Sequence, residues 1–177
     1  FLRTGVYDRN RAFHLTMSPS MDILVSSNLE RLIYLLYGED DAAVRELQGK
    51  LSENGRYTVS DEVLSSLGRV FSAGCCNDEE TYGTIEKYYR KYGYLADTHT
   101  AVALKVYDDY VRKTGDGRVT VIASTASPYK FPKAVLKALN NEIVDDDFSA
   151  VKMLEDISGW KAPSQLKSLN EKCVKFC

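Results

Sequence analysis

The chain has 177 residues, 44% hydrophobic and 27% charged, which excludes disordered, collagen-like and coiled-coil classes and leaves room for one domain with a real core. Its 23 Lys and Arg are interspersed with 25 Asp and Glu, so no basic stripe is available to neutralise a nucleic-acid backbone. No apolar run approaches the roughly 20 residues of a membrane helix, and Phe1-Leu2-Arg3 is no secretory leader, so no membrane partner and a cytoplasmic location are expected.

The opening FLRTGVYDRNRAF has no cap or turn that would start a domain, and suggests a piece of a longer protein with its upstream half missing. A strand is expected over Leu15–Leu24. Ser27 and Glu30 stand at capping-box spacing before Leu29, Leu32, Ile33 and Leu36, which predicts a helix from Asn28 to Tyr37, stopped by Gly38. Val44, Leu47 and Leu51 share one face of a second helix, about Asp41–Leu51, which gives way at Asn54-Gly55. Ser60 caps a third, carrying Val63, Leu64, Leu67, Val70 and Phe71 ahead of Gly74.

Asn77 and Glu80 form another cap pair, for a helix from Asp78 to Lys91 whose buried side should hold Tyr82, Ile85, Tyr88 and Tyr89, with Gly93 as its stop. A short strand at Tyr94–Ala96 then passes through Asp97-Thr98 into a helix closed by Gly115. Arg118–Ser124 is the most apolar strand candidate, of the kind normally covered on both faces. Pro132 suits the first turn of a helix reaching about Leu139. Acidic Asp145 to Asp147 head a helix over Phe148–Ile157, and Pro163 starts a last one. The fold class is therefore α/β, helix-rich with few strands, as in part of a three-layer open sheet with helices on both faces.

Cys75-Cys76 and the terminal pair Cys173 and Cys177 lack the C-x-x-C or His spacing of a zinc site, so reduced thiols and no metal are expected. A Ser-His-Asp set fails for want of G-x-S-x-G, and the scattered glycines make neither a phosphate loop nor a dinucleotide fingerprint. Three stretches remain. TMSPSMDILVSSNLERL brings hydroxyls, among them Ser20, and Asn28 to a helix start; GYLADTHTAVAL puts Asp97 and His99 at a strand end; VIASTASPYKFPKAV ends an apolar strand in Ser124, Thr125 and Ser127. By spacing alone each is either a capped turn or a ligand-binding loop.

Together, and in this order, the three stretches resemble the C-terminal part of threonine synthase, a pyridoxal-phosphate enzyme of the tryptophan-synthase-β-like fold. The resemblance implies that residues 1–177 are the C-terminal part of the catalytic domain, with a helical stretch at about 28–92. It implies conversion of O-phospho-L-homoserine and water to L-threonine and phosphate by the complete enzyme, a lyase of threonine biosynthesis. Thr125, with Ser124 beside it, matches the hydroxyl that faces the cofactor's pyridine nitrogen. Asn28 matches a position near the substrate, with Ser20 in the same strand-end group, and Asp97 and His99 stand behind the cofactor. The family's Schiff-base lysine and its glycine-rich phosphate loop have no counterpart here. The resemblance thus assigns no catalytic residue to this chain, and implies that it is inert and without cofactor by itself. Exposed strand edges would favour self-association. Two alternatives stand beside this: a dehydratase or sulfhydrylase of the same fold, and a non-catalytic helical binding module.

Overall fold

The computed structural model describes residues 1–140 and 142–172. Its contacts divide the chain into two compact units. The first comprises residues 1–15 and 19–74, and the second 16–18 and the chain from Cys75 onward.

In the first unit, β1 (Val6–Asp8) pairs antiparallel with β2 (Arg56–Thr58), Tyr7 opposite Tyr57. Their rings stack at 5.4 Å, and Phe1 meets Tyr7 edge-on at 5.7 Å. Burial, then the neighbouring Tyr7, raises the Tyr57 hydroxyl well above the ordinary phenol range. Three helices complete the unit: α1 (Ser27–Leu36), α2 (Asp41–Asn54) and α3 (Asp61–Val70). Their apolar faces bury Ile33, Val44, Leu47, Leu51, Val63 and Leu67 around Tyr57 and Val59.

The cap residues explain the helix limits. Asp40 accepts from the backbone N–H groups of Ala42 and Ala43 at 2.9 and 3.1 Å, and Ser60 from that of Val63 at 3.3 Å. The Ser27–Glu30 capping box expected for α1 does not form. Ser26 takes the cap position instead, and its hydroxyl pairs with the Asn28 side chain rather than with a backbone N–H. Gly55 ends α2 at φ +74, and a Cβ there would stand 2.2 Å from the Asn10 amide. Gly55→Ala is therefore expected to lower the unfolding free energy by about 1 kcal/mol or more, read as a lowered urea midpoint with an unchanged slope.

The second unit holds α4 (Asp78–Tyr92), α5 (Thr98–Thr114), α6 (Pro132–Asn140), α7 (Asp147–Ser158) and the short α8 (Ser164–Lys167). The Asn77–Glu80 capping box is present in both directions, at 2.9 and 3.0 Å. Gly93, Gly115 and Gly159 close α4, α5 and α7 in the left-handed conformation. Helix α4 packs on α5 and α6, and α6 on α7. The core is Ile85, Leu95, Ala96, Ala101, Leu104, Tyr129, Val135, Ala138, Val151, Leu154 and Ala162, with Tyr82, Tyr88 and Tyr89 half-buried against it.

All three expected strands differ from the structure. Residues 15–24 are irregular, with a 3-10 turn at Pro19–Met21, and residues 94–96 and 118–124 join no ladder among the described residues. A strand is defined by its partner, and the described part of this chain brings none to them. Val119 and Val121 are accordingly 100% and 90% exposed. The α/β class holds, with the helices dominating and one two-stranded sheet among the described residues.

Glu155 ties the end of the second unit together. Its Oε1 accepts from the Ala162 N–H at 2.8 Å and lies 2.6 Å from the Lys167 ammonium. Lys167 first, then the Ala162 N–H, holds this carboxyl below its ordinary pKa. A carboxyl depressed on folding stabilises fully above its unfolded pKa of about 4.3, and that stability is lost as pH falls through the folded value. Glu155→Gln should therefore narrow the stability gap to wild type as thermal melts move from pH 7 to pH 3; a gap independent of pH would contradict this.

Candidate functional site

The site begins where buried Leu95 and Ala96 lead into α5. Asp97, 1% exposed, is the N-cap. Its Oδ1 accepts from the backbone N–H of His99 at 2.9 Å and of Thr100 at 3.4 Å, and lies 3.2 Å from His99 Nδ1. Its Oδ2 receives the Thr100 hydroxyl. A carboxylate at a helix start also meets the positive end of the helix dipole. A carboxylate oxygen accepts, so in this contact Nδ1 is the nitrogen that donates. That ring lies 4.7 Å from the ring of Phe131, centroid to centroid.

Two hydroxyls join this helix start to the segment 118–127. Thr100 Oγ1 and Ser124 Oγ are 3.3 Å apart, and the Tyr94 hydroxyl lies 3.1 Å from Ser124 Oγ. Tyr94 and Thr100 also line, with Tyr88, Tyr92, Leu104 and Ile122, a hollow of about 390 Å³. The following turn is anchored. Ser127 Oγ accepts from the Tyr129 N–H at 3.3 Å, and buried Tyr129 donates to the Trp160 carbonyl at 2.9 Å. Thr125, held between these two fixed points, is exposed, and no hydrogen bond reaches its side chain among the described residues. Lys130 is exposed, with its ammonium 5.7 Å from the Phe131 ring centroid.

Four of the six site residues expected from sequence thus lie in the second unit: Ser124 beside Thr125, and Asp97 with His99, linked to Ser124 through Thr100. Asn28 and Ser20 lie in the first unit, both exposed, Asn28 on the first turn of α1 and Ser20 in the 3-10 turn at 19–21. Thr100 and Tyr94 were not singled out by sequence. Thr100 carries a usable signal, since it sits three residues after a capping aspartate, where its hydroxyl can return to the carboxylate. Among the described residues no group of three His, Cys, Asp or Glu is placed to hold a metal. No described helix is long and apolar enough to cross a membrane. Cys173 and Cys177 lie outside the described residues.

The family model "Threonine synthase, C-terminal" matches residues 100–174. Threonine synthase of Pseudomonas aeruginosa is 38% identical over 138 residues, which is 78% of this chain and 29% of that protein. The crystal structure of pyridoxal-phosphate-bound threonine synthase from Brucella melitensis superposes with a TM-score of 0.74 at 36% identity, covering 99% of this chain and 33% of that one. The yeast threonine synthase structure superposes with a TM-score of 0.80 at 31% identity, covering 99% of this chain and 35% of that one. The chain therefore spans about a third of the length of the threonine synthases it matches.

Proposed function

We propose that this chain, which resembles threonine synthases over about a third of their length, forms one wall of a pyridoxal-phosphate site in a longer enzyme that converts O-phospho-L-homoserine and water to L-threonine and phosphate. The observation that carries this is Thr125: an exposed hydroxyl, unbonded among the described residues, at the end of a segment fastened on both sides by Ser124 and Tyr129. A neutral, fixed donor of this kind fits a pyridine nitrogen.

The cofactor, when bound, supplies the electron sink that lets groups leave and enter at the substrate's side chain. Everything else is the work of residues. Thr125 offers the ring nitrogen a hydrogen bond and no negative charge, so the nitrogen stays largely unprotonated. A weaker electron sink of this sort suits elimination and replacement on the side chain over transamination. Asp97 and His99 hold the start of α5 rigid behind the ring. Asn28 and Ser20 bind toward the substrate. Lys130, which is exposed against Phe131, serves as a surface cation, and the lysine that links to the cofactor belongs to another part of the enzyme. The 177-residue chain alone is inert and does not retain the cofactor.

The test is phosphate release from O-phosphohomoserine, with pyridoxal phosphate present, by the longer protein and by the 177-residue chain. Release by the longer protein alone is expected. Ammonia release from serine or threonine without phosphate release would replace this function by that of a dehydratase of the same fold.

A further inference from the structure

A groove of about 560 Å³ lies between α1 and α2, wholly within the first unit. Helical spacing brings Ser27, Glu30, Arg31 and Tyr34 to one face of α1, and these four form one wall. Asp41, Val44 and Arg45 belong to the wall that α2 supplies. The two walls differ in how their charges are used. On α2, the Arg45 guanidinium is spent on the Asp41 carboxylate, 2.5 Å away. On α1, no hydrogen bond or ion pair among the described residues engages the side chains of Ser27, Glu30, Arg31 or Tyr34. Glu30 and Arg31 are consecutive, so they leave the helix about 100° apart and do not face each other.

An α-amino acid carries the complementary pair: a carboxylate for the Arg31 fork and an ammonium for the Glu30 carboxylate. Buried Val44 and the Tyr34 ring offer its side chain an apolar surface. Because Asp41 and Arg45 satisfy one another, no spare charge is left for a charged side chain. A phosphate dianion drawn to Arg31 would also stand near Glu30, and like charges at short range lower affinity. We infer that the groove between α1 and α2 is a ligand site for an α-amino acid with an uncharged side chain, its carboxylate on Arg31 and its ammonium on Glu30. L-Threonine, the product of the reaction proposed above, is such a ligand. The site is separate from the cofactor wall and does not depend on it.

The experiment is calorimetric titration of the 177-residue chain with L-threonine, without cofactor. A Kd of about 1 mM or tighter is expected. Arg31→Ala and Glu30→Gln should each weaken binding about tenfold or more, as the loss of a charge-assisted contact does. N-acetyl-L-threonine, which has no ammonium, and L-threonine methyl ester, which has no carboxylate, should bind the wild-type chain as poorly. O-phospho-L-threonine should bind poorly to the wild-type chain and better to Glu30→Gln, a gain that general damage to the helix would not produce. Both side chains are exposed, so the variants should keep their fold, which circular dichroism checks. No wild-type binding up to about 10 mM, or equal binding by both variants, would overturn the inference. Blocked threonines that bind as well as threonine itself would do the same. The readout needs no pyridoxal phosphate, so it stands whether or not the longer enzyme releases phosphate.

Discussion

Replacing Asp97 with alanine is expected to lower the unfolding free energy by about 3 kcal/mol or more. The carboxylate is the shared acceptor of two helix N–H groups, one imidazole N–H and one hydroxyl, and it is buried. A lost N-cap costs about 0.5–2 kcal/mol, and each buried donor left without a partner costs about 1–3 more, less whatever water recovers. Against a typical total of about 5–15 kcal/mol the loss is large. Asp97→Asn keeps the oxygen that serves the backbone but turns an NH2 toward a donor, so about half the effect is expected. Urea unfolding of the three proteins measures this, and a loss below about 1 kcal/mol for the alanine variant would show that the cluster contributes little.

The second large effect concerns Val119 and Val121. Both stand exposed on a segment that joins no ladder, so changing both to aspartate should alter the stability of the 177-residue chain by under about 0.5 kcal/mol, as at other surface sites. The unaltered chain, with apolar side chains on an unpaired stretch, should self-associate, and the double variant should remain monomeric in light scattering. In the longer enzyme proposed above, the expectation reverses. Neighbouring strands there would cover both side chains, and two buried carboxylates without partners would abolish soluble expression or cost several kcal/mol. A longer protein that tolerates the change would mean that this segment faces water throughout.

These two sites also show what could be read from sequence. The helices were legible because their ends are written in local chemistry: Asn77 with Glu80, and Gly93, Gly115 and Gly159 at left-handed stops. Ser27 misled because the adjacent Ser26 occupies the cap position, with its hydroxyl turned to the Asn28 side chain. The strand pair was invisible, since β1 and β2 have three residues each and too few alternations to set a period. Residues 118–124 have the composition of a covered strand, yet composition cannot supply a partner. At the site, the hydroxyl-rich turn announced Ser124 and Thr125. What separates them comes from contacts that reach 24 residues back to Thr100 and 30 back to Tyr94, distances over which local pattern carries no information.

The two units are also interleaved along the chain, and this has consequences during synthesis. Tyr7 cannot stack on Tyr57 until nearly the whole first unit has been made, so its strand pairing closes a long loop and comes late. Thr16–Ser18 waits longer still. The Met17 N–H donates to the Asp78 carboxylate at 2.9 Å, so three residues made early find their place only after the first unit has left the ribosome. The order of emergence thus separates two folding events, and the early segment must stay soluble while it waits.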